Sequence, residues 1–299
     1  MRARNKTQTQ PLEGTPYAAL RREQRIGSIL AADGKLDTSH IGQVLRLQQQ
    51  RHDLRFGEAA LSLGLITRED LSSALARQYE FPCQRLNGSS VSPDLIAYRD
   101  ALHPGVERLR ELRTQLLIRW SGLGNDPRAL TIVSPGACEG RSYVAANLAV
   151  LFAQLGMRTL LIDADLRTPR QSGIFNIQDR IGLATVLSGR ASGDVAVSLP
   201  AFGPLSVLPA GAPPPNPQEL LLRPELASLL ELADNEYDVI LIDTPPARAS
   251  ADAQSVAFCA GSALVLARAN HTGLDDVTAL AQDLAATGAV VVGTVLNKF

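Results

Sequence analysis

Asp163 and Asp165 together close one run of apolar residues, Asp243 closes another, and a loop, Gly136-Ala-Cys-Glu-Gly140-Arg141-Ser142, closes a third. Carboxylates at strand ends can hold a divalent cation or take up a proton. A glycine-bearing loop that opens a helix can hold a phosphate, because its backbone N–H groups and the helix N-terminus both favour negative charge. Ser142 stands where a hydroxyl ligates Mg2+, with Arg141 beside it as the positive charge. In the strict pattern G-x4-G-K-[ST] the first glycine falls on Pro135 and the lysine on Arg141, so the loop alone is a degenerate match. Together with three strand-end carboxylates, however, it makes the set that a Mg-nucleotide site requires.

The elements that must position these groups follow from periodicity. Ala129 to Val133 is a short apolar, β-branched run, as expected of a buried parallel strand. Val144, Leu148, Leu151, Phe152 and Leu155 recur at helical spacing behind the loop, and Gly156 stops that helix. Thr159 to Ile162 and Val239 to Ile242 are the strands that end in the aspartates. Leu205–Leu208, Ala263–Leu266 and Val290–Leu296 supply further strands, with helices from Gly182, from Gln218 and from about Asp275. Alternating strands and helices imply an α/β, doubly wound, mostly parallel sheet, with ligand at the carboxyl ends of its strands.

Bulk properties narrow the function. The chain has 299 residues and a formal net charge of −1, so no global basic field points to nucleic acid. Its three cysteines, Cys83, Cys138 and Cys259, lie far apart without a CxxC pair, which argues against a zinc or disulfide framework and fits a cytoplasmic location. The start, MRARNKTQTQ, lacks the apolar core of a signal peptide, and no stretch reaches the roughly 18 apolar residues of a span. The expectation is a chain with no direct membrane span.

Residues 1–20 are polar and aperiodic and read as a disordered tail. A repeat follows in 21–86: Arg25-Ile-Gly27 to Leu36 returns 30 residues later as Arg55-Phe-Gly57 to Ile66, and each copy continues into a second helical piece. Asp37-Thr38 and Thr67-Arg-Glu-Asp70 supply helix starts, and Gly34 and Gly64 helix ends. This small all-α tandem-repeat domain resembles the N-terminal domain of type II secretion and pilus ATPases. Some members of that family bind cyclic di-GMP, and the resemblance implies Arg25, Gln48, Arg55 and Gln78 as its contacts, a role suited to arginine forks on guanine and phosphate.

Residues 87–104, rich in Ser, Pro and Gly, read as a linker, and 105–299 as the second domain. A helix from Val106 to Trp120 opens that domain, with Glu107, Arg110 and Arg113 in an E-x2-R-x2-R spacing expected to align on one stripe. This helix, the loop, Leu161-Ile-Asp-Ala-Asp-Leu-Arg167, Asn216-Pro-Gln-Glu-Leu220 and Leu241-Ile-Asp-Thr-Pro245 together resemble bacterial protein-tyrosine kinases of the exopolysaccharide chain-length-determinant type, in the exosortase-associated subgroup. The resemblance implies a P-loop NTPase fold and an ATP- and Mg2+-dependent autokinase. It further implies a membrane-embedded chain-length partner, a membrane-associated location through that partner, and ring-like homo-oligomers formed through Glu107, Arg110 and Arg113.

The resemblance also assigns roles. Gly136, Cys138, Glu139, Gly140, Arg141, Ser142 and Tyr143 would line the phosphates, Asn297 would read adenine, and Ser142, Asp165 and Asp243 would hold the metal. Asp163 would accept the proton of the attacking tyrosine hydroxyl, a group with a pKa near 10. Three departures stand against that pattern. Cys138 replaces a glycine, and a position needing positive φ would be distorted by it; Arg141 replaces lysine; and Tyr17, Tyr79, Tyr98, Tyr143 and Tyr237 form no cluster. They leave two alternatives, a catalytically weak nucleotide-binding regulator sensing cyclic di-GMP and a partition- or division-site-type ATPase switch.

Overall fold

The computed structural model describes residues 26–78, 91–120, 129–178, 181–191 and 195–298. The expected tail at 1–20 lies outside them, as does Arg25. The chain divides into two compact units, residues 1–81 and 82–299.

Four helices make up the described part of the first unit: Ile26–Ala32, Thr38–Gln50, Phe56–Ser62 and Arg68–Gln78. The same contacts recur 30 residues apart. Lys35 N–H donates to Leu30 O and Leu65 N–H to Ala60 O, and Gly34 and Gly64 donate to Ala31 and Leu61 one turn back. The buried residues repeat likewise, Ile29, Leu30, Leu36 and Val44 matching Ala59, Ala60, Ile66 and Ala74. Asp37 caps one helix by accepting the His40 N–H at 2.8 Å. Thr67 and Asp70 cap another reciprocally, at 2.9 and 3.1 Å.

The second unit is a seven-stranded sheet in the order β3-β4-β2-β5-β1-β6-β7. Its strands are β1 (Ala129–Val133), β2 (Thr159–Asp163), β3 (Val197–Ser198), β4 (Leu205–Leu208), β5 (Val239–Asp243), β6 (Ser262–Arg268) and β7 (Val290–Asn297). Every pairing is parallel except that of β3 with β4. Successive strand residues serve opposite faces. Leu130, Ile132, Leu161 and Leu241 pack under the loop helix Arg141–Ala153 with Phe152 and Trp120. Leu160, Ile162, Ile240 and Ile242 pack on the other side with Leu187 and Leu230. Burial on both faces is why these runs are continuously apolar. Because β5 lies between β1 and β2, the ends carrying the loop, Asp243 and Asp163 are neighbours, with Ile132 and Asp163 both opposite Asp243 in register.

The linker expected over 87–104 needs correction from Val91 onward. Residues 96–99 form a short helix, and Leu95, Ala97 and Tyr98 are buried in the core of the second unit. Asn147 of the loop helix accepts the Ala97 N–H at 2.9 Å and donates to Asp94 O at 2.8 Å. Polar composition hid this packing, because two side-chain amides, Asn147 and Gln154, satisfy its backbone from outside. No described helix is long and apolar enough to cross a membrane.

Candidate nucleotide and phosphoryl-transfer site

At the carboxyl ends of the strands lies a cavity of about 1160 Å³, lined by the loop from Ala137 to Val144, Asp165, Thr168, Arg170, the start of the helix Pro104–Trp120, and Leu296 to Lys298. Its floor is the loop. Gly140 precedes the loop helix with φ 96°, a left-handed backbone that an L side chain rarely takes, and the first-turn N–H groups of that helix have no partner within it. Cys138 also lies in left-handed territory, at φ 57°. The position does require positive φ, and cysteine occupies it exposed to solvent, at a conformational cost of about 1–2 kcal/mol.

Glu139 holds the loop closed from beneath. Its buried carboxylate accepts the Gly136 N–H at 2.8 Å and the Thr272 hydroxyl at 2.5 Å. Asn297, at the end of β7, donates Nδ2 to Glu139 O at 3.2 Å, so here it braces the loop backbone. Arg268 likewise donates to Cys138 O at 3.3 Å. Arg141 is buried and turned into the loop. Nε donates to Thr244 O at 2.9 Å, and Nη1 to Gly136 O at 2.5 Å and to Ser134 Oγ. Burial lowers its pKa, and the carboxylates of Asp243, Asp165 and Glu139 oppose that; the guanidinium stays protonated.

The three aspartates have different surroundings. Asp165 lines the cavity, its carboxylate fixed by the Arg167 and Thr168 N–H groups at 3.2 and 2.8 Å and the Thr168 hydroxyl at 3.0 Å. Arg167 in turn pairs with fully buried Asp252 at 2.8 Å. Asp163 lies beneath the cavity, fully buried, and accepts N–H groups of Asp165, Arg170 and Gln171 at 3.2, 3.0 and 2.9 Å. Burial, then the charge of Asp243, pushes its pKa well above the carboxylate range. Asp243 is also fully buried, its pKa pushed up to about 6 by burial, with the Ser142 hydroxyl, the Gln171 amide and Arg141 pulling the other way. Its Oδ2 accepts Gln171 Nε2 at 2.8 Å; Oδ1 accepts no well-formed hydrogen bond from any described residue, the Ser142 hydroxyl being the nearby donor that acts on this carboxylate.

The orphaned Oδ1 tests the fit of a metal–nucleotide complex. A buried carboxylate oxygen without a partner is costly unless something positive reaches it. Among the described residues no group of three or more His, Cys, Asp or Glu could hold a metal by itself. Magnesium bound through one or two carboxylates and substrate phosphates needs no such group, and Ser142, Asp165 and Asp243 are the residues that would hold it.

The other expected residues divide. Tyr143 lines the cavity, half-buried, with its phenol pKa raised by burial and by Asp94. Glu107 and Arg110 pair at 3.0 Å on the helix surface, but Arg113 turns inward and donates to Leu151 O of the loop helix at 2.9 Å. The single stripe is thus corrected. At about 100° per residue, six residues turn a side chain by about 120° from its starting face. In the first unit Gln48 spends its Nε2 on Leu54 O at 2.9 Å, while the Arg55 backbone N–H is capped by Glu58 at 2.8 Å. Gln78 closes the helix Arg68–Gln78. Sequence reasoning overlooked Gln171, a lone polar residue in no motif.

Fold and site together define a doubly wound P-loop nucleotide-binding domain. The tyrosine-protein kinase YwqD of Bacillus subtilis is 34% identical over 210 residues, covering 70% of this chain and 88% of YwqD. The tyrosine-protein kinase Etk of Escherichia coli is 33% identical over 192 residues, but the chain spans only 26% of its length. The solved Etk kinase domain superposes with a TM-score of 0.66 at 31% identity, covering 72% of this chain and 84% of that domain. More distantly, the septum site-determining protein MinD of Pyrococcus horikoshii, solved with Mg-ADP, superposes at 0.50 with 27% identity, over 57% of this chain and 70% of MinD. No family model matches the chain. The chain belongs to the bacterial tyrosine-protein kinases.

Proposed function

We propose that this chain transfers the γ-phosphoryl group of Mg-ATP to tyrosine, regulating exopolysaccharide chain length or export with a membrane-embedded chain-length partner that keeps it at the cytoplasmic face of the membrane. The observation that carries this reading is the orphaned Asp243 Oδ1 beneath a phosphate loop, with Asp163 directly opposite in the sheet. The relationship to YwqD and Etk supports tyrosine as the acceptor, and the Mg-ADP held by MinD supports the cofactor. When bound, Mg-ATP supplies a charge-neutralised phosphoryl group. Ser142, Asp165 and Asp243 would hold its metal, the loop from Gly136 to Tyr143 its phosphates, and Asn297 its adenine. Asp163, made more basic by burial, would take the phenolic proton. Glu107 and Arg110 would mediate ring-like self-association, Arg113 acting from inside the helix.

Incubation of the purified chain with Mg-ATP, with and without the cytoplasmic segment of a chain-length partner, should yield phosphotyrosine that Asp163→Asn abolishes. No phosphotyrosine on either protein would remove the reading.

One observation favours a second reading, a weak kinase that serves as a regulator: Arg141 is spent on three acceptors of its own loop and neighbouring strand end. In that case the helical-repeat unit would sense cyclic di-GMP through Arg25, Gln48, Arg55 and Gln78. Calorimetric titration of cyclic di-GMP into the full chain should give heat that Arg55→Ala removes; a flat titration excludes the sensor.

A further inference from the structure

Asp163 and Asp243 stand directly opposite each other on paired parallel strands, both fully buried. A single residue bonds to both. Gln171, itself fully buried, donates its backbone N–H to Asp163 Oδ2 at 2.9 Å and its side-chain Nε2 to Asp243 Oδ2 at 2.8 Å. The same Nε2 donates to Ser142 O at 3.2 Å, at the start of the loop helix. One amide therefore ties the β2 end, the β5 end and the phosphate loop together.

The direction of that amide is fixed by chemistry. With Asp243 ionised, flipping it would place Oε1 against Asp243 Oδ2 and Ser142 O, three acceptors with no proton among them. In the orientation present Oε1 is buried without a hydrogen-bond partner among the described residues, a state costing about 1–3 kcal/mol. A side chain chosen for packing would not leave its carbonyl unsatisfied while using its NH2 group twice. The donor end is what the site uses, and its effect falls on Asp243: the bond to Oδ2 favours one orientation of the carboxylate, in which Oδ1 has no hydrogen-bond partner among the described residues.

We infer that Gln171 is a positioning residue for the metal–nucleotide complex, aiming Asp243 Oδ1 and registering it against Ser142. This rests on the reading of the cavity as a Mg-nucleotide site. It does not depend on tyrosine being the acceptor.

The test titrates a fluorescent ADP analogue into the full chain with and without Mg2+, alongside thermal unfolding. Gln171→Met keeps length and bulk and removes the donor; Gln171→Glu sets a carboxylate against Asp243. Partners that orient a metal ligand typically contribute 10- to 100-fold to metal affinity, so the gain in ADP affinity conferred by Mg2+ should fall by about that factor in Gln171→Met, with metal-free affinity within about threefold of the parent. Gln171→Glu should lose at least as much, and if it fails to fold, Gln171→Met carries the test alone. An undiminished Mg2+ gain in a folded Gln171→Met variant overturns the inference. So does an equal weakening of both titrations with a lowered Tm, the signature of packing alone. Absence of any Mg2+ gain in the parent removes the nucleotide-site reading itself, whereas a normal gain without phosphotyrosine removes only the kinase reading.

Discussion

Arg141 donates its Nε proton to the Thr244 carbonyl at 2.9 Å, so the cation of the phosphate loop is held against the end of β5. Its Nη1 donates to Gly136 O and Ser134 Oγ as well. Only Nη2 is left outside these bonds, so to meet a phosphate with its full fork Arg141 must give up some of these acceptors. Lysine, a compact ammonium on a flexible stem, would not be locked by a fork of donors. Arg141→Lys is therefore expected to bind Mg-ATP at least as tightly while losing about 1–3 kcal/mol of unfolding free energy as buried carbonyls lose charged donors. Nucleotide titration and denaturant unfolding measure the two effects, and weaker binding with unchanged stability would contradict this account.

Cys138 at φ 57° makes the loop a place where backbone preference opposes sequence. The side chain is exposed, so replacing it forfeits little packing. Cys138→Gly should relieve about 1–2 kcal/mol of left-handed strain, offset by about 0.4–1 kcal/mol of added unfolded-chain entropy. A β-branched residue fits that region worst. Stability and Mg-ADP affinity should rank glycine first, then cysteine, then Cys138→Val. An inverted order in thermal unfolding would show that the loop adapts its backbone to the side chain.

The sheet was legible because parallel strands covered on both faces read as unbroken apolar runs, as in Val239–Ile242 and Thr159–Ile162. Asp163 and Asp243 were legible for the same reason: each is the first charge after such a run. β3 was missed because two residues, Val197 and Ser198, carry no period, and only the antiparallel return beside β4 makes them a strand. Leu95 and Tyr98 were hidden in a Pro- and Ser-rich stretch whose backbone is satisfied by Asn147, some 50 residues away. Gln171 had no signal at all. Its meaning comes from three partners, Ser142, Asp163 and Asp243, that sequence distance keeps apart. Arg113 shows the converse, a regular spacing whose partner, Leu151, is chosen by tertiary packing.

Asp243 makes binding depend on pH. Its folded pKa of about 6 stands above the unfolded value of about 3.9. The folded chain thus binds more protons between those values, so the stability linked to this group is fully present below about pH 4 and lost as pH rises through about 6. A cation at Oδ1 needs the ionised form, so Mg-ADP must expel that proton. The rise in Tm caused by Mg-ADP should be larger at about pH 7.5 than at about pH 5.5, and Asp243→Asn should flatten the difference. A Tm increment independent of pH in the parent would place the metal elsewhere.

Glu107 and Arg113 lie on one helix but answer to different partners, and that separates assembly from folding. The ion pair joins an exposed Glu107 to a part-buried Arg110, and such pairs contribute roughly 0–1 kcal/mol, so Glu107→Ala should leave Tm nearly unchanged and Arg110→Ala should lower it slightly through lost packing. If this face forms the proposed ring, both should shift sedimentation toward smaller species. Arg113 is half-buried against Leu151 O, near the end of the helix that begins at the phosphate loop. Arg113→Ala removes a charged donor from a carbonyl that the fold covers, and a loss of about 1–2 kcal/mol is expected after discounting for its partial exposure. Its unfolding midpoint should therefore fall at concentrations where the parent is monomeric, which an assembly effect could not produce. A midpoint that falls only where the parent is oligomeric would assign Arg113 to the interface after all.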